Sequence, residues 1–175
     1  VALLPAVLFI LFGAVQDWSD ARLPGGNVSA YVMVSMAVYG AVTATTAIST
    51  GAAVERLQGW GRQLALTPMG TGGYAVTKVA VALLIAVLPV VIVFLVGAFT
   101  NASMDDLWRW VLAAVLCVVV SVVFALYGLA AGLIFRSDTA VGAASGALVV
   151  FAFFGNVFMP LSGGMLTVAR FTPMY

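Results

Sequence analysis

The sequence predicts an all-α polytopic membrane protein, and two observations carry that reading. Of 175 residues, 64% are hydrophobic and 7% are charged, with a mean hydropathy of +1.19. A soluble domain carries about 25% charged residues, so this chain has too few to cover a globular surface. The apolar residues also fall into five runs separated by short polar segments, and about 20 such residues in a helix cross roughly 30 Å of hydrocarbon. One transmembrane domain over residues 1–175 follows, with spans near 1–15, 28–50, 74–99, 111–135 and 139–161.

The first run, 1–15, holds Pro5 and is short for a span. The chain opens on Val1 with no basic region before it, so both ends read as cut from a longer protein. Residues 16–27 are polar, and Pro24, Gly25 and Gly26 mark a turn. The run 28–50 has no charge, and its Thr and Ser hydroxyls can bond back to helix carbonyls. A charged stretch follows to about Gly73. The third run holds Lys78 near its start, where it can snorkel to the interface, and Pro89 at mid-span, where a kink is expected. Residues 100–110 are polar, with Trp108 and Trp110 at headgroup depth. Arg136, Ser137 and Asp138 turn the chain into the last run, and residues 162–175 form an external amphipathic tail.

Five runs place the charged stretch and the 136–138 turn on one side. That side holds Arg56, Arg62, Lys78 and Arg136, against Arg22, Arg109 and Arg170 on the other. Lys and Arg favour the cytoplasm, so the charged stretch is read as cytoplasmic in a plasma membrane.

Several chemistries are excluded or disfavoured. The chain has no histidine, which removes Ser-His-Asp catalysis and HExxH zinc sites. The single cysteine, Cys117, forbids an internal disulfide and reads as an apolar filler. All six acidic residues lie in loops or flanks, so no buried carboxylate pair serves proton transfer. No GxxxxGK[ST] loop is present to bind ATP, and a net charge of +1 offers no basic patch for nucleic acid. The chain is therefore not read as an enzyme.

Gly128 with Gly132, and Gly142 with Gly146, are small-xxx-small pairs that let helices approach closely. Asn156, Tyr39 and Thr43 are polar groups within runs. They either bond to neighbouring helices or line a substrate path. Asn27 and Asn101 each open a glycosylation tripeptide on the outer side.

The segment ERLQGWGRQLALTPMG (55–70) places three charged residues, Glu55, Arg56 and Arg62, within eight positions between two long apolar stretches. As a helix over 54–66, Leu57, Trp60 and Leu64 share one stripe, with Glu55, Gln58 and Arg62 on another. That pattern fits a helix lying on the membrane surface, either as an anchor or as a docking site for a cytosolic partner.

The series Glu55, Arg56, Gly59, Arg62, Gln63, Leu64, Thr67 and Pro68, followed by Tyr74 and Lys78, resembles the permease subunits of type-2 ABC exporters, which include drug and antibiotic efflux permeases of the daunorubicin-resistance kind. The tail MPLSGGMLTVARFTPMY resembles the external segment before their last span. The resemblance implies six spans in the intact subunit, here the end of the first through the fifth. It implies a permease dimer, read as a homodimer, and two ATP-binding subunits that hold ATP and Mg, with no cofactor in this chain. It makes the segment around Glu55, Arg56, Gly59, Trp60, Arg62, Gln63, Leu64, Thr67 and Pro68 a coupling helix that touches the ATPase. A bacterial source and a lipophilic drug, antibiotic, lipid or glycan substrate fit the same family. A non-transporting membrane scaffold and a secondary transporter remain competing readings; the latter lacks a carboxylate for its coupling ion.

Overall fold

The computed structural model describes residues 3–64, 66, 68, 70–134, 139–155, 157, 167 and 170. The chain is an all-α membrane protein. Helix α1 (Leu3–Phe9) runs into a π-helical turn, Ile10–Ala14. Two short strands, β1 (Arg22–Leu23) and β2 (Gly26–Asn27), precede α2 (Val28–Thr50). Two short helices follow, α3 (Ala52–Leu57) and α4 (Trp60–Leu64), and then the long α5 (Thr71–Ala98), α6 (Leu107–Ile134) and α7 (Thr139–Phe154). Among the described residues, three helices are long and apolar enough to cross a membrane, those built on α2, α5 and α6. At 1.5 Å per residue, the 28 residues of α5 and of α6 each reach about 42 Å, beyond the hydrocarbon thickness.

Helix α2 is the centre of the bundle and contacts α1, α5, α6 and α7. Its residues explain why. Ala, Gly, Ser and Thr dominate the sequence AVYGAVTATTAIST at its C-terminal end, and small side chains let neighbouring backbones come close. At Gly40 a Cβ would lie 2.9 Å from both Pro5 Cγ and Pro89 Cβ, so α1 and α5 meet α2 at the same level through their prolines. Helix α5 continues through Pro89 to Ala98, and the proline side chain is fully buried. The main core joins Phe9, Met33, Met36, Val90, Val93 and Cys117. By contrast, Val76, Leu84, Leu88, Leu107, Val111 and Val123 on α5 and α6 are exposed, as lipid-facing positions of outer helices are.

The end of α2 opposite the charged stretch is ordered by a hairpin. Pro24 and Gly25 form its two-residue turn, with Gly25 at φ 98°, a conformation that glycine adopts at little cost. Asn27 caps α2, its Oδ1 accepting from the Ala30 amide at 2.9 Å and from the Ser103 amide at 3.0 Å. Its Nδ2 donates to the Asn101 carbonyl at 2.5 Å. The buried Asn27 thus ties the loop before α2 to the loop before α6, and the amide nitrogen that a glycan would take is already bonded. Arg109 bridges Asp105 and Asp106, at 3.6 and 3.2 Å, and its Asp105 also meets Arg22 at 3.5 Å. Trp108 and Trp110 fall in the first turn of α6 rather than in the loop before it.

Candidate functional site

The charged stretch between α2 and α5 differs from the continuous amphipathic helix expected over 54–66. Helix α3 ends at Leu57, Gly59 adopts φ 83°, and a new helical turn starts at Trp60. A glycine in the left-handed region ends helices because no Cβ opposes it. The break undoes the 3.6-residue period, so Leu57, Trp60 and Leu64 do not form one stripe of a single helix. Instead α3 and α4 make an elbow. Leu57 and Trp60 are about half exposed, at 55% and 50%, and Leu66 is 90% exposed. Arg62, Gln63 and Pro68 are exposed, Leu64 is half-buried, and α4 has no buried residue. Arg56 lies in α3, and Thr67 lies outside the described residues.

Glu55 does not share this outward face. Its Oε2 accepts from the Tyr74 hydroxyl at 2.5 Å and its Oε1 pairs with Lys78 Nζ. Tyr74 and Lys78 stand four residues apart on α5, hence on one face of that helix. The Lys78 side chain is 14% exposed and that of Glu55 32%, so the pair is partly withdrawn from water and is screened less by salt than an exposed one. Lys78, expected to snorkel to the interface, carries its ammonium to Glu55 in the charged stretch between α2 and α5. The sequence carried a signal for this. Lys78 is the sole charge of α5, and such a charge needs a counter-ion, for which Glu55 is the nearest acidic residue along the chain.

The small-residue pairs are placed differently from each other. At Gly128 a Cβ would lie 2.6 Å from the Thr46 carbonyl oxygen, and at Gly132 2.7 Å from the Thr50 carbonyl oxygen. Helix α6 thus lies directly on the backbone of α2, and Thr46 Oγ1 donates across the contact to the Phe124 carbonyl at 3.2 Å. Among the described residues, no atom lies within 4 Å of where a Cβ on Gly142 or Gly146 would sit. Tyr39 is buried beside Ala152 and Val157. Thr43 Oγ1 bonds to its own helix, donating to the Tyr39 and Gly40 carbonyls at 2.8 and 3.1 Å. Asn156 and most of residues 158–175 lie outside the described residues.

Comparison with known proteins gives one curated relative. The chain is 25% identical over 151 residues to the protein named "Putative transport permease YvfS" of Bacillus subtilis (strain 168), covering 83% of this chain and 61% of that protein. The chain thus spans about three-fifths of the relative's length. No protein-family profile matches the chain, and no solved structure matches it.

Proposed function

We propose that this chain is the membrane-spanning permease part of an ATP-driven exporter of the type-2 ABC class. The observation that carries the reading is the α3–α4 elbow. It lies between two long apolar helices, exposes Trp60, Arg62, Gln63 and Pro68, and is fixed to the bundle on its other side through Glu55. An exposed aromatic and an arginine beside it are the residue types that anchor protein partners. The similarity to a protein named as a transport permease supports the same reading.

On this reading a cytosolic ATP-binding subunit docks on the elbow and supplies ATP hydrolysis, with Mg, that the chain itself does not perform. A second permease subunit completes the assembly in the plasma membrane. The cargo is a lipophilic drug, an antibiotic, or a lipid- or glycan-type molecule, moved outward by alternating access. Tyr39 and Thr43 lie on α2 near the bundle interior, where such a path would run.

The test is purification of the full chain from its native membranes. An ATP-binding subunit with a phosphate-binding loop is expected to accompany it, and Arg62→Glu is expected to lower the coupled ATP hydrolysis without affecting membrane insertion. A scaffold that only rests its elbow on the lipid surface predicts no nucleotide-binding companion. It also predicts full function when the elbow's charges are neutralised and Leu57, Trp60 and Leu64 are kept. Unchanged coupling in Arg62→Glu removes the docking role.

A further inference from the structure

We infer that Glu55, Tyr74 and Lys78 act as a clasp that passes movement of the α3–α4 elbow into α5, and that they do so as positioning residues rather than as contacts to a cytosolic partner. The inference rests on the exporter reading above and adds the route by which docking would move the spans.

Several glycines fall between Leu57 and the first turn of α5. Gly59 stands at φ 83°, and Gly61 in α4, Gly70 before α5 and Gly72 in its first turn have no described atom within 4 Å of a Cβ position. Glycine is the residue that restrains a backbone least, so a side-chain link from α3 to α5 is the firmer route. Helix α3 itself extends α2 almost without interruption. The Gly51 amide donates to the Ala47 carbonyl, the Glu55 amide to the Gly51 carbonyl and the Gln58 amide to the Val54 carbonyl, at 3.3, 3.1 and 3.0 Å.

The clasp closes a short circuit between these elements. Glu55 receives two donors from one face of α5, an ionic one from Lys78 and a hydroxyl from Tyr74. Two bonds from one carboxylate to positions i and i+4 fix the α3–α5 orientation as well as their distance. One further helical stretch along α5, Pro89 is wedged against Gly40 of α2. A push on the elbow therefore reaches the middle of the bundle through packed side chains, the physical form that coupling between distant sites takes.

The experiment uses the full chain reconstituted in liposomes with its ATP-binding subunit. Cys117→Ser removes the native thiol, and Leu88→Cys, on the exposed face of α5, takes a bimane label. Mg-ATP with orthovanadate then reports nucleotide-driven movement of α5 as a shift in bimane emission. Glu55→Gln and Lys78→Met are expected to bind the ATP-binding subunit as the unmodified chain does. The emission shift should fall by about tenfold, within the range that residues along a coupling route command. Lys78→Arg should keep most of the shift, and the exchanged pair Glu55→Lys with Lys78→Glu should recover most of it. Tyr74→Phe removes one hydroxyl only and keeps the test open where Lys78→Met fails to assemble; a partial loss is expected. An unaltered shift in Tyr74→Phe and in either charge variant overturns the inference. So does loss of subunit binding together with the shift, which would make the trio a docking site, and so does an exchanged pair no better than the single variants. Absence of an ATP-binding subunit from the unmodified chain overturns the exporter reading itself, a result visible before any variant is made.

Discussion

Gly128→Ala is expected to force α6 away from α2. The added Cβ would stand 2.6 Å from the Thr46 carbonyl oxygen and 2.9 Å from Thr46 Cα, where ordinary contact begins near 3.4 Å. Both obstacles are backbone atoms of the central helix, so no side chain can rotate aside, and α6 must retreat by most of an ångström. Overpacking of this kind costs about 1–3 kcal/mol, of which the better helix propensity of alanine returns up to about 1 kcal/mol. The retreat also stretches the 3.2 Å bond from Thr46 to the Phe124 carbonyl, and bonds between membrane helices average about 0.6 kcal/mol. A net loss of about 1–2 kcal/mol follows. Gly142→Ala supplies the control, because no described atom lies within 4 Å of its Cβ position; it should be neutral or slightly stabilising. Unfolding of the detergent-solubilised protein by graded SDS, followed by circular dichroism, reads the difference. Gly132→Ala meets the Thr50 carbonyl at 2.7 Å, and one displacement relieves both clashes, so the double variant should lose less than the two single losses together. The reasoning fails if Gly128→Ala is as stable as Gly142→Ala, or if the two clashes add in full.

Two further outcomes follow from Asn27 and Gly59. Asn27→Ala removes a helix cap worth about 1 kcal/mol and leaves the Ser103 amide without its acceptor; faster proteolysis of the loops before α2 and before α6 should accompany a loss of about 2 kcal/mol or more, whereas an unchanged digestion pattern would show that the loops are held by the hairpin alone. Gly59→Val places a β-branched residue at φ 83°, at a cost of about 1–3 kcal/mol, and Gly59→Asn should cost less, since asparagine tolerates that region. Hydrogen exchange in α3 and α4 checks this, with valine expected to raise exchange there and asparagine to leave it nearly unaltered.

The helices were legible because a membrane leaves the chain little choice. Residues 28–50 are apolar and uncharged, and α2 occupies Val28–Thr50. The starts of α5 and α6, at Thr71 and Leu107, fall a few residues earlier than the apolar runs because helices extend through interfacial Gly, Thr and Trp that hydropathy counts as polar. What hydropathy does not encode is which polar groups meet. Asn27 read as the start of a glycosylation tripeptide, and only the fold brings Asn101 and Ser103 to it. Glu55 read as part of an outward face, and the break at Gly59 with the approach of α5 turns it inward. Helical periodicity also assumed one uninterrupted helix through 54–66, which a single left-handed glycine was enough to divide. Among the small-residue pairs the pattern is the same at 128–132 and 142–146, yet only the first meets another backbone among the described residues. A spacing motif states that close approach is permitted and does not name the neighbour.

The burial of α2 has a consequence for biogenesis. This helix carries Ser29, Thr45, Thr46, Ser49 and Thr50, all buried in the finished bundle, while α5 and α6 present mostly aliphatic side chains outward. On emerging from the ribosome α2 meets the bilayer before α5 and α6 have been synthesised, and its hydroxyls must then rely on carbonyls of its own turns, as Thr45 and Thr50 do with Val42 and Thr46. Helix α1 precedes it, but α5, α6 and α7, which cover most of it, are made afterwards. Until α5 and α6 are in place, the hydroxyl-bearing face of α2 therefore stands without the partners it has in the finished bundle.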